Sequence, residues 1–451
     1  LDLDWHHNVF SEAAQSKTAI GVSIRQWGPQ GRVFLMTHLT DRPVGLLLQS
    51  AEVTEWECLP AGGGFDYCEN IFLQNHEVVG NTDVGQHLLH PAMAIRKQAS
   101  GDLELYLSRA ADDVYVSCPD VDSRPQWDLD SFQFHPDNGA APDLVANVPL
   151  AAATQLAECA DHGITELAFD GATPHACYTL QRAGDELVQC NSYDGVGTTE
   201  WGAENDRPLN NSFPAGWVPE EDHPSVVLGP NGPIVAAHSL AIPPPGNPQN
   251  NQHNIEVTFP DDSEVLLETW ASTDRNHPNA SRNREPGTGD WQLRVVWEEG
   301  TGTGAALRYG YCDTDCDQLA NWSLDTITSS YFDAARVSHV ADMGAGREFV
   351  TFMYDAAGGP NTSQWRVVVG TKCMYQSHTQ WDFEQIRTPP QSVNDQNLEF
   401  GRPSLALDKF HQMVHVAYVE AGNWNEPNRP LDTDNAVVWS RADYSGLPSC
   451  L

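Results

Sequence analysis

Positive charge is scarce in this chain. Lys and Arg number 24 against 62 Asp and Glu, for a formal net charge of −38. A surface of that sign repels nucleic-acid phosphates and anionic membranes, so neither is an expected partner. Long apolar runs are lacking as well. No stretch of 18 consecutive apolar residues occurs, which leaves no candidate for a membrane-spanning helix. The ten cysteines include no two tight pairs at matching spacing, so a zinc ribbon is not expected. P-loop, nucleophile-elbow and zincin signatures are missing too.

What is present points to turn-rich β structure. Charged residues make up only 19%, while Gly, Pro and Trp number 35, 30 and 14, a balance that argues against disorder. Cys58 and Cys68 are close in sequence, as are Cys312 and Cys316, which fits disulfides in an oxidising compartment. The chain begins at Leu1 and shows no signal segment, so a processed, secreted protein, extracellular or periplasmic, is expected.

A repeat runs along the chain. One unit is a strand ending in Cys, a loop, then Trp and another strand. It occurs at Tyr115–Cys118 with Trp127, Leu187–Cys190 with Trp201, Tyr309–Cys312 with Trp322, and Val369–Cys373 with Trp381. A second unit, two apolar strands joined at a Gly or Asp turn, precedes each; His90–Ile95 with Leu103–Leu107 is one example and Arg402–Leu407 with Val414–Tyr418 another. Seven copies align, each reading as four short strands. Four-stranded units repeated around an axis are propeller blades, and a Trp ring suits the wedge between neighbouring sheets. A solenoid or two stacked sandwiches are the competing architectures.

The expected fold is therefore all-β: one seven-bladed β-propeller of four-stranded antiparallel blades over 1–451. The blades fall near 19–85, 86–145, 150–215, 220–272, 273–333, 334–398 and 400–449. The last blade lacks its outer strand, and Asp4–Phe10 is expected to supply it from the N-terminus, which removes free sheet edges. In blade one, Val44–Ser50 reads as a third strand without its Cys, and 58–81 as a structured insert.

The seven inner strands start at Ala19, His90, Ala152, His223, His277, Arg336 and Arg402. Five of these are basic, in a very acidic chain. Three readings of that ring stand. Arg would hold a carboxylate or sulfate bidentately while His donates or accepts a proton. His90, His223 and His277 would ligate a transition metal. Or all are loop residues paired with Asp and Glu. Two long loops, 241–253 and 421–430, are expected on the same face, the second carrying Trp424, which suits sugar stacking or loop anchoring.

Acidic turns offer hard oxygens for Ca2+: Asp313, Asp315 and Asp317 in one, with Asp120/Asp122 and Asp432/Asp434 elsewhere. None completes an EF-hand loop, and with 62 acidic residues solvated turns are the favoured reading. His411 and His415 flank Met413 on a strand read as half-buried.

Over nearly the whole chain the repeat resembles seven-bladed propellers of the sialidase-like kind. It lacks the Asp-box turns of sialidases, so that activity does not carry over. The His-and-Arg mouth is similar in kind to propeller polysaccharide lyases that act on uronic-acid polymers. That resemblance implies Arg336 and Arg402 on the carboxylate and His223 or His277 as the base. Two functions follow as expectations. One is a secreted propeller that binds an extracellular protein or anionic glycan, with His90, Arg336, Arg402 and Trp424 as contacts. The other is a polysaccharide lyase.

Overall fold

The computed structural model describes residues 1, 3–10, 17–27, 32–41, 49–58, 68–70, 76–80, 89–97, 103–111, 126–134, 143–149, 166–170, 173–182, 185–192, 205–206, 217–229, 231–284, 291–300, 306–327, 335–342, 346–355, 365–374, 380–387, 403–421 and 435–450. Nearly all of them are β-strand or turn; a 3-10 turn at Leu319–Asn321 is the helical element among them.

The strands form antiparallel sheets in which chain order is spatial order. Sheet one holds Lys17–Trp27, Arg32–Asp41, Gln49–Cys58 and Cys68–Asn70, with His76–Gly80 also paired to its third strand. Sheet two holds Leu89–Lys97, Leu103–Ala111, Gln126–Phe134 and Asp143–Pro149. Sheet three holds Glu166–Asp170, Thr173–Arg182, Asp185–Ser192 and Asn205–Asp206. Sheet four holds Val218–Leu228, Pro233–Ile242, Gln252–Thr258 and Glu264–Leu266. Sheet five holds Arg275–Arg284, Trp291–Glu299, Ala306–Cys312 and Trp322–Thr326. Sheet six holds Ala335–Asp342, Arg347–Asp355, Trp365–Cys373 and Asp382–Arg387. Sheet seven holds Ser404–Asp408, Met413–Ala421 and Asn435–Asp443, completed by Trp5–Phe10.

The first strand of each sheet touches the first strand of the next, and that of sheet seven touches that of sheet one. Four-stranded sheets in cyclic contact through their first strands define a β-propeller.

Closure by the N-terminus is as expected. Trp5 pairs with Ala442 and Phe10 with Val437 in an antiparallel ladder. Upstream, Leu3 is buried in the apolar layer between sheets six and seven, with Val369, Ile386, Val438 and Tyr444. Its N–H donates to Glu384 Oε2 at 2.9 Å. The C-terminus is tied to the same place by the Cys373–Cys450 disulfide and by Arg347 Nη2 donating to the Pro448 carbonyl at 2.6 Å.

Apolar side chains fill the wedges between sheets. Trp322 belongs to a layer shared by sheets four and five, with Ile255, Val265 and Val295. Trp381 joins Tyr309, Val350 and Val368 between sheets five and six, with its ring edge-on to Tyr309 at 5.7 Å. Middle strands are covered on both faces: Pro233–Ile242 and Trp291–Glu299 each have six consecutive buried residues, polar ones among them. Gly370 explains why a third strand lacks a side chain where its outer neighbour carries a ring. A Cβ there would lie 2.6 Å from Phe383 Cε1.

Two expectations need correction, and a third falls on residues outside those described. In sheet two the Trp127 strand is third, not outermost, because Asp143–Pro149 pairs beyond it; Tyr115–Cys118 lies outside the described residues. In sheet one the third strand is Gln49–Cys58 and does end in Cys, with Cys58 opposite Cys68. Within the segment read as an insert, Cys68–Asn70 and His76–Gly80 are therefore sheet. The first described strand of sheet three begins at Glu166, and Ala152 lies outside the described residues.

Candidate functional site

Four of the five basic positions fall on one recurrent backbone irregularity. Leu89 and Ala92 pair with Ala110 and Ser108, so one extra residue is inserted at His90-Pro91. The same insertion occurs at His223-Pro224, between Asp222 and Ser225. It recurs at His277-Pro278, between Asn276 and Asn279, and at Arg336-Val337, between Ala335 and Ser338. A bulge bends the strand and re-aims a side chain, and Pro suits it because no ladder N–H is needed there.

Ser225, directly after its bulge, and Ser404, at the start of sheet seven's first strand, have a packing role. Ser225 Oγ accepts the Ala280 N–H of sheet five at 2.9 Å, and Ser404 Oγ accepts the Ile24 N–H of sheet one at 3.1 Å. Each bond joins neighbouring inner strands. Sheet one has its own irregularity between Ala19 and Gly21, and carries no basic residue there.

Of the ring residues, His277 has a described side chain. Its φ is 54°, in the left-handed region uncommon for a non-Gly residue. Its Nδ1 lies 3.1 Å from Glu298 Oε2. The strand positions of His90, His223 and Arg336 are described but not their side chains; Arg402 and Trp424 lie outside the described residues.

Beside His277 is a cluster that sequence reasoning missed. His238, on the second strand of sheet four, places Nε2 3.0 Å from His253 Nδ1, on the third strand. His253 Nδ1 is also 3.3 Å from Asp274 Oδ1, just before sheet five. The two ring planes lie 15° apart with centroids 5.2 Å apart, so the imidazoles meet edge to edge through this nitrogen–nitrogen contact. Asn276 Nδ2 donates to Asp274 Oδ1 at 2.9 Å, and the Gly300 N–H to its carbonyl at 2.7 Å, which fixes this residue.

Arg275 braces the cluster from below. It donates to the His253 and Thr269 carbonyls at 3.0 and 2.8 Å and pairs with Glu268 at 2.7 Å. Arg308 pairs with the same Glu268 and with Glu299 at 3.5 Å. The expected loop after Ile242 rises here and is largely exposed, with a turn closed by the Asn247 N–H on the Pro244 carbonyl.

The Asp313–Asp317 turn sits at the opposite end of the strands, clamped by the Cys312–Cys316 disulfide. Asp313 Oδ1 accepts from Arg294 Nη2 at 2.8 Å, and Asp317 Oδ2 accepts from Gln318 Nε2 at 3.3 Å. Among the described residues, the compact group of potential metal ligands is His238, His253 and Asp274, and not these three carboxylates. Asp315 and Asp317 instead line a cleft of about 610 Å³ between sheets four and five, with Phe259, Pro260 and Trp291. His415, read as half-buried, is fully buried against Trp439, whose Nε1 donates to its Nδ1 at 3.3 Å. His411 lies in the preceding turn, Nδ1 2.6 Å from Asp408 Oδ2.

No protein-family model and no curated protein matches the chain. Solved structures resemble it remotely. An α-L-arabinofuranosidase of Fusarium graminearum, complexed with an iminosugar inhibitor, has 12% identity over 93% of this chain and 92% of its own, at a TM-score of 0.42. An α-L-arabinanase of Penicillium chrysogenum has 13% identity over 79% and 93%, at 0.40. A lectin of Aleuria aurantia has 11% identity over 83% and 98%, at 0.40. Among the described residues no helix is long and apolar enough to cross a membrane.

Proposed function

We propose that residues 1–451 form one seven-bladed ring, secreted into an oxidising compartment, that binds an anionic glycan on the face where its inner strands begin. The observation that carries this reading is the repeated bulge. His90, His223, His277 and Arg336 occupy the same irregularity on four inner strands. Cation-bearing positions repeated around one axis suit carboxylates or sulfates spaced along a polymer. Disulfides such as Cys177–Cys190 support the compartment. Calcium at Asp313, Asp315 and Asp317 is a separate proposal, supported by three carboxylates in one turn, of which Asp313 also pairs with Arg294.

Isothermal titration against a uronic-acid polymer and a neutral polymer tests it. The acidic polymer should bind, and Arg336→Ala with Arg402→Ala should weaken binding by roughly 10–100-fold, as expected for lost charge-assisted hydrogen bonds. Equal binding of both polymers, unaffected by these substitutions, would refute it; so would selective capture of a protein partner alone.

The His277–Glu298 pair favours a second reading, the lyase. A carboxylate on Nδ1 orients an imidazole for proton transfer. His277 or His223 would remove the proton beside a uronate carboxylate held by Arg336 and Arg402, and the elimination would leave an unsaturated uronate at the cleaved end. Appearance of that product's ultraviolet absorbance, lost in His277→Ala, separates lyase from binding module.

A further inference from the structure

We infer that His238, His253 and Asp274 form a binding site for one divalent transition metal of the zinc type, which cross-links sheets four and five at the base of the 243–251 loop. The inference is independent of the glycan reading.

The donor set and its spacing carry the argument. Two imidazole nitrogens and one carboxylate oxygen converge, with all three atoms within 4.8 Å of one another. Zinc–nitrogen and zinc–oxygen bonds of about 2.0–2.2 Å put tetrahedral ligand atoms roughly 3.3–3.5 Å apart. His253 Nδ1 and Asp274 Oδ1 are 3.3 Å apart, and His238 Nε2 and His253 Nδ1 are 3.0 Å apart. The His253–Asp274 edge is thus in place, and the His238–His253 contact, a hydrogen bond without the ion, would open by a few tenths of an ångström around it.

Proton accounting supports the same conclusion. His253 Nδ1 faces a ring nitrogen and a carboxylate oxygen at once. If it carries the proton, that proton is split between two acceptors. If it is bare, its single lone pair accepts from His238 and no proton lies between it and the Asp274 carboxylate. A cation at the common point satisfies all three lone pairs.

The surroundings fit as well. Asp274 is oriented by the Asn276 amide, the kind of outer contact that aims a metal ligand. The neighbouring cations Arg275 and Arg308 are neutralised by Glu268 and Glu299, so they do not oppose a second positive centre. His238 is buried, whereas the His253 and Asp274 side chains are 16% and 27% exposed. One side of the site therefore opens to solvent, giving the ion an entry path and a fourth position for water.

The test uses the full chain, stripped with a chelator and titrated with Zn(II) by calorimetry and with Co(II) by visible absorption. One ion per chain should bind, with the d–d bands of nitrogen- and oxygen-ligated Co(II). Zn(II) should raise the melting temperature, because it binds the folded state. His253→Gln and Asp274→Asn, both at partly exposed positions, should remain folded by circular dichroism. Each should weaken binding more than ~10-fold, since even outer-contact losses reach that size. No stoichiometric binding would overturn the site. Unchanged binding in both variants, as when the N-terminal His6 and His7 hold the ion, would overturn it equally.

Discussion

Arg294 and Glu348 form a buried ion pair across sheets five and six, and its removal has a calculable consequence. The side chains are 3% and 1% exposed, with Arg294 Nε 3.0 Å from Glu348 Oε1. Tyr309 Oη donates to Glu348 Oε2 at 2.5 Å, and Arg294 Nη1 donates to the Leu293 and Cys312 carbonyls at 3.0 and 2.9 Å. Burial and the adjacent carboxylate both hold the Tyr309 hydroxyl well above its ordinary pKa, so it remains a donor. Arg294→Met would leave the buried Glu348 carboxylate without its Arg partner, held by the Tyr309 hydroxyl and the field of Lys372. Removing one partner of a buried pair costs about 3–5 kcal/mol, whereas replacing both by apolar groups is often neutral. At about 2.1 cal/mol/K per residue, a 4 kcal/mol loss lowers the melting temperature of a chain this long by roughly 4 °C. Calorimetric melting of Arg294→Met, Glu348→Leu and the double variant forms a cycle. The double variant should be more stable than either single one. If the single losses are below about 1 kcal/mol, or simply add in the double, the pair is not the coupled buried unit described.

Two further outcomes are expected. Deleting residues 1–10 removes the outer strand of sheet seven and the buried Leu3, whose burial alone is worth about 1.5–3 kcal/mol; a truncated chain that melts like the full one would disprove closure. Burial first, then Arg441 and His411, push His415 down to about 3 from 6.5. The folded state keeps this imidazole neutral while the unfolded chain protonates below pH 6.5. Stability should therefore be intact above pH 6.5 and fall by up to about 1.4 kcal/mol per pH unit between 6.5 and 3. Denaturant titrations of His415→Phe against the parent over that window should show a shallower acid slope in the variant; parallel slopes would show that His415 contributes nothing.

Much of the architecture was legible before any coordinates. Strand composition is local, so Ser404–Asp408, Met413–Ala421 and Asn435–Asp443 lie close to where the apolar alternation put them. The missing outer strand of the last repeat, set against a surplus strand at Trp5–Phe10, amounted to an instruction for closure. The His-Pro pairs at 90–91, 223–224 and 277–278 coincide with bulges, because Pro at a ladder position breaks the ladder, whereas the bulge at Arg336-Val337 carries no such signal.

Sheet two shows where local reading ends. Tyr115–Cys118 and the Trp127 segment both look like strands, and periodicity does not say which neighbour pairs with which. The partner Asp143–Pro149 decided it.

The metal cluster was illegible for a related reason. His238 sits in an apolar run, Val235-Ala-Ala-His-Ser-Leu240, where a lone His reads as core. Its partners follow 15 and 36 residues later, across a loop and a change of sheet, with no motif linking them. The Arg294–Glu348 pair and the Cys373–Cys450 bond are likewise products of how sheets pack side by side. Sequence by itself determined the strands, their repetition and the closing segment, because each depends on residues near one another in the chain. Tertiary structure alone decided which side chains meet between sheets, because that depends on the rotation from one blade to the next.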